Sequence, residues 1–101
     1  MFGSKTSKVI ASLPDNMISH IPRLNDWRNA SIETIGTGNP SYISPVWVDA
    51  AGDEYSIRIT RSELALRWQA AIMKNGTRIW DTKAKYDTPN DAYNGIRAVL
   101  S

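Results

Sequence analysis

The sequence predicts an α+β fold: an N-terminal helix, a three- to four-stranded antiparallel sheet, and a C-terminal helix over one face of that sheet. Three observations carry this. Apolar and polar residues alternate through 55–60 and again through 66–73, the period of half-buried strands. Asn75-Gly76 lies between the second of these runs and a third, 77–82, and suits a two-residue type I′ reversal. Thr88-Pro89-Asn90-Asp91 then supplies a capping hydroxyl, a first-turn proline and an early carboxylate, ahead of a helical stripe at Ala92, Ile96, Val99 and Leu100.

In chain order, residues 1–8 are polar and read as frayed. Ser12, Pro14 and Asp15 resemble a helix start, with Leu13, Met17 and either Ile18 or Ile21 as its apolar stripe, broken at Pro22. A second helical turn carries Leu24 and Trp27. Residues 31–45 hold glycines, Asn39-Pro40 and Pro45, and so read as a loop with a short strand at Ser31–Ile35. Val46, Trp47 and Val48 form a strand, DAAGD a turn, and Tyr55, Ile57 and Ile59 the inward side of the next strand. RSELA interrupts the alternation as a loop or one helical turn. Gly95 lies beside the stripe of the last helix. There it lowers helix stability by ~1 kcal/mol, which a close approach to the sheet would explain.

A two-residue turn at 75–76 fixes a register: Lys74 opposes Thr77, Met73 opposes Arg78, Ile72 opposes Ile79 and Ala71 opposes Trp80. One face then holds Leu66, Trp68, Ala70, Ile72 and Ile79, beneath the C-terminal helix. The other holds Arg67, Gln69, Met73, Arg78, Trp80 and Thr82, with Arg58 and Thr60 from the neighbouring strand. Three guanidinium groups around an indole can hold phosphates and stack on bases. Arg58, Arg67, Arg78 and Trp80 are therefore the candidate nucleic-acid or partner-binding residues. The bland alternative is a solvated face on which arginine stems lie over Trp80; a third reading has Trp80 meeting the N-terminal segment or a second chain.

Composition narrows the chemistry. The chain has 101 residues, enough for one domain with a modest core. A formal net charge of +2 is weak for a dedicated binder of duplex DNA. The lack of cysteine excludes disulfides, thiol catalysis and thiolate metal sites. No apolar run approaches the ~20 residues of a membrane span, so no membrane and a cytoplasmic setting are expected. His20 is the only histidine and no nucleophile–base pair surrounds it in sequence; the expectation is not an enzyme, with no cofactor and no metal. Asp49, Asp53 and Glu54 lack the alternating oxygen ligands of a calcium loop and read as turn residues. GTGNP at 36–40 has neither the helix start nor the Lys-Ser/Thr of a phosphate loop.

WQAAIMKNGTRIWDTKAKYDTPNDAYNGIRAVL, residues 68–100, resembles the YegP-like family of small bacterial proteins in Asn75-Gly76, Tyr86, Ala92, Gly95-Ile96 and Val99. That family usually shows two tandem repeats, and one is legible here; Trp80 and Pro89 fall outside its pattern. The resemblance implies a β-β-α unit with a turn, an aromatic plug and a glycine that packs the helix, and it brings no catalytic residues. The strand-strand-strand-helix order also looks like a double-stranded-RNA-binding domain, whose Lys-Lys helix start is replaced here by Thr88-Pro89-Asn90-Asp91. The expected function is a small binding module, taking single-stranded nucleic acid through the Arg/Trp face. Its alternative is a protein-binding modulator, of which a phage factor acting on a host enzyme or defence complex is one example, with a homodimer as a variant.

Overall fold

A computed structural model describes residues 4–14, 17–29 and 41–100. Helix α1 is Ser4–Ala11, two 3-10 turns follow at Met17–His20 and Leu24–Asp26, and the strands are β1 (Arg28–Asn29), β2 (Tyr42–Ile43), β3 (Trp47–Val48), β4 (Glu54–Ser62), β5 (Arg67–Lys74) and β6 (Thr77–Asp81), before helix α2 (Pro89–Leu100). The sheet is antiparallel, in the order β1-β2-β4-β5-β6, with β3 also on β4. The four expected strands are present, and β1 and β2 extend the sheet beyond them. The expected strand at 31–35 lies outside the described residues.

The N-terminal helix is short and lies earlier than the sequence suggests. Residues 4–8 are helical, and Ser12 closes the helix where a helix start was expected: its Oγ donates to the Val9 carbonyl at 2.7 Å. Of the expected stripe, Leu13, Met17 and Ile21 are buried, and so are Leu24 and Trp27 of the expected second turn. They reach the core from turns rather than from one helix. The Pro22 carbonyl ties this segment to α2, accepting from Trp27 Nε1 at 3.1 Å and Tyr93 Oη at 3.0 Å.

The core lies between the inner sheet face and these elements. Ile57, Ile59, Ala70 and Ile72 have no exposed surface and pack with Ala92 and Ile96 of α2. The α2 start is as expected: Thr88 Oγ1 accepts from the Asp91 N–H at 3.0 Å. Opposite the helix, a Cβ placed on Gly95 would overlap Tyr86, meeting its Oη and Cζ and lying 2.9 Å from Cε1. Tyr86 is in turn fixed to β5 by backbone bonds in both directions with Trp68, at 2.7 and 3.1 Å.

β2 and β3 are one interrupted neighbour of β4. Tyr42 and Ile43 pair with Ile59 and Arg58; Trp47 and Val48 pair with Tyr55 and Glu54. Three residues, 44–46, separate these two pairings on one side and two, 56–57, on β4, so Pro45 and Val46 form a bulge, where a residue without an N–H is tolerated. Buried Ser44 keeps the ladder continuous: its N–H donates to the Ile57 carbonyl at 2.9 Å and its Oγ accepts from the Ile57 N–H at 2.7 Å.

The Asn75-Gly76 reversal forms as the sequence predicts, with φ of 52° and 82°. Asn75 does more than turn the chain. It donates its N–H to the Glu54 carbonyl at 2.7 Å and accepts the Glu54 N–H on Oδ1 at 2.8 Å, joining the β5–β6 turn to the start of β4. Among the described residues, no helix is long and apolar enough to cross a membrane.

Candidate binding face

Past the turn, the expected register holds for two pairs and then shifts. Lys74 opposes Thr77 and Met73 opposes Arg78, but Ile72 opposes Trp80 and Ala71 opposes Asp81. Ile79 is the extra residue of a β-bulge, which re-aims the side chains beyond it. Trp80 thereby moves to the inner face beside Ile72, where it and Ile79 are both half-buried against the core. The physical reason is apolar area. Without the bulge only one of these two large neighbours could face the core; with it both do, and the indole leaves the solvent face. Thr82 moves too. It is buried, with its N–H donating to the Ala70 carbonyl at 2.9 Å and its Oγ1 accepting from the Ala70 N–H at 3.0 Å.

The three arginines stay together. Arg58 opposes Ala71, Arg78 opposes Met73, and Arg67 lies on β5 in the same alternation as Ala71 and Met73. They share the outer face. By strand geometry, Arg58 and Arg78 are two strands apart and two residues out of step, roughly 12 Å between backbones, with Arg67 roughly 13 Å along β5 from Ala71. Ala92 and Ile96 of α2 and the side chains of Leu13, Met17, Ile21, Leu24 and Trp27 belong to the core on the inner side. α1 lies beside β6.

Carboxylates intersperse the guanidinium groups. Arg67 Nη1 donates to Asp87 at 2.7 Å, and Arg78 lies 3.6 Å from Asp81. Asp81 also accepts the Lys83 N–H at 2.9 Å and faces Lys83 Nζ at 3.9 Å. Arg58 is exposed, with no hydrogen-bond or ion-pair partner among the described residues. The floor between these charges is apolar: Ala71 and Met73 are both buried. Asp81 and Met73 are the residues sequence reasoning undervalued; Asp81 joins this face only because the bulge shifts the strand.

A shallow depression of about 310 Å³ beside β6 is lined by Arg78, Ile79, Trp80, Asp81 and Lys83. A second, of about 290 Å³, lies between Trp27, Tyr42 and the start of α2.

Two other sequence candidates lie in turns. Asp49 Oδ1 accepts from the N–H groups of Ala51 and Asp53, both at 2.9 Å, which makes it a turn residue. His20 closes the first 3-10 turn. Among the described residues, no three His, Asp or Glu side chains are grouped so as to hold a metal ion. The hairpin turn after β4 exposes Leu64 at 96 % and Leu66 at 63 %, the latter in the left-handed region at φ 57°.

Comparison of the chain with family models, with curated proteins and with solved structures gives no match.

Proposed function

We propose that the protein is a small non-enzymatic module that binds a protein partner through the outer face of β4, β5 and β6. The observation that carries this is the Ile79 bulge. It removes Trp80 from the face and leaves Arg58, Arg67 and Arg78 interleaved with Asp81 and Asp87 over buried Ala71 and Met73. A surface for stacking bases needs aromatic rings. A flat, mixed-charge face with an apolar floor and several arginines is the composition of a protein interface. Carboxylates on the same face oppose a phosphate backbone.

Single-stranded nucleic acid is the second reading. It is favoured by Arg58, whose guanidinium has no carboxylate neighbour among the described residues, and by the net charge of +2. It would rest on phosphate contacts alone, with strong salt dependence and little base preference.

One experiment separates the two. Cross-linking capture from the native cell is run with the natural protein and with Arg58→Ala, beside binding of a labelled oligonucleotide over a salt series. Proteins captured only by the natural chain, from nuclease-treated extract, support the first reading. Oligonucleotide binding that weakens steeply with salt and with Arg58→Ala supports the second and overturns the first. Capture that is identical for both chains, with oligonucleotide binding also unchanged by Arg58→Ala, removes this face from both readings.

A further inference from the structure

The outer face is complementary to itself about β5. Arg58 on β4 and Asp81 on β6 flank Ala71 at one strand spacing each, ~4.8 Å on either side. One level further, Ser56 and Arg78 flank Met73 in the same way. We infer that this face docks a second copy of the chain, sheet against sheet, about a two-fold axis running along β5 between the two sheets. The inference rests on the protein-binding reading above and names the partner.

The operation exchanges β4 with β6 and maps β5 onto itself. Arg58 of each copy then faces Asp81 of the other, so the ion pair forms twice, as an isologous interface requires. Ser56 faces Arg78, also twice. Ala71 and Met73, already buried in each copy, lie on the axis as an apolar floor, so the contact is made by the longer side chains around them. Aligned sheets pack ~10 Å apart, a distance that an arginine and an aspartate can span together. Like charges approach at two places: the two Arg67 side chains, each already bonded to its own Asp87 at 2.7 Å, and Arg78 beside the incoming Arg58, both drawn to the Asp81 carboxylate between them. A two-fold axis across the strands at the level of Ala71 would instead set Arg58 against Arg58 and Asp81 against Asp81. Charge therefore selects the axis along β5.

Size sets the strength. Strands of nine, eight and five residues present roughly 350 Å² of sheet per copy, about 700 Å² for the pair, below the range of permanent dimers. The dimer is weak and concentration-dependent, and the ion pair contributes specificity and salt sensitivity more than affinity.

Sedimentation velocity of the full chain, from about 10 μM to about 1 mM, is the test. The expected result is a reversible monomer–dimer equilibrium that weakens with salt. Arg58→Asp and Asp81→Arg each abolish it, and an equimolar mixture of the two variants restores it, because both cross-interface pairs are complementary again in the heterodimer. Asp81→Arg removes the acceptor of the Lys83 N–H, so Asp81→Asn, which keeps an oxygen there, is run beside it and is expected to weaken dimerisation roughly three- to tenfold. Far-UV circular dichroism checks that every variant is folded. A chain that stays monomeric throughout, a dimer indifferent to both charge reversals, or variants that fail to recover on mixing would each overturn the inference. If the chain is monomeric yet Arg58→Ala still loses its captured protein, the face binds a different protein: the dimer falls and the proposed function stands.

Discussion

Gly95→Ala should destabilise this protein, against the ordinary direction of that substitution. In a helix interior alanine is favoured over glycine by ~1 kcal/mol. Here the new methyl would fall on Tyr86, overlapping Oη, 2.5 Å from Cζ and 2.9 Å from Cε1. Three atoms along one ring edge cannot be avoided by moving the tip of the side chain; the ring must shift as a unit. Its backbone is held to Trp68 by bonds of 2.7 and 3.1 Å, and it packs against the core. Overpacking costs ~1–3 kcal/mol, and overlap with three ring atoms puts this case at ~2–3 kcal/mol, so after the ~1 kcal/mol propensity gain the net change is a loss of about 1–2 kcal/mol, or roughly 4–16 °C in Tm for a domain of this size. The informative comparison is the double-mutant cycle. With Tyr86→Ala as background the obstacle is gone, and Gly95→Ala should stabilise by ~1 kcal/mol, giving a coupling of about 2–3 kcal/mol. Tyr86→Phe removes only Oη, so it should relieve part of the cost. Urea unfolding followed by circular dichroism reads all of these. If Gly95→Ala raises the midpoint in the natural background, or has the same sign with and without the tyrosine, the steric account of this glycine is wrong.

Trp80→Ala should cost about 2–4 kcal/mol, because the indole packs against the core, while Arg78→Ala stays within about 0.5 kcal/mol; equal effects in urea unfolding would refute the bulged register. Thr82→Val should cost about 1–3 kcal/mol by leaving the Ala70 N–H without its side-chain acceptor in a buried site, and Thr82→Ser should recover most of it in the same assay. Leu66→Asn should stabilise by ~0.5–1 kcal/mol, since Leu66 is 63 % exposed at φ 57° and asparagine tolerates that conformation. A lower thermal midpoint for this variant would show that the leucine side chain, and not the backbone, governs that turn.

The sequence by itself determined what depends on neighbours along the chain. The Asn75-Gly76 turn, the Thr88 cap and the stripe of α2 each follow from residues within a few positions of one another, and so does the alternation behind β4 and β5, although Leu66, expected on the inner face, falls in the turn before β5 and is exposed. The choice of buried residues at 13–27 was legible too, because apolar character survives even where the helix expected to carry it does not form. Only the tertiary structure decided which way β6 faces after Ile79. Two adjacent large apolar residues, Ile79 and Trp80, compete for one core, and a bulge seats both; alternation cannot express that outcome, since one inserted residue reverses every later side chain. That reversal removed Trp80 from the candidate face, buried Thr82 against Ala70, and set Asp81 beside Ala71 across from Arg58. The arginines were legible as a group because β4, β5 and the first pairs of β6 keep a regular register. The acid among them depends on a packing choice made in three dimensions, where burying an indole outweighs an unbroken ladder.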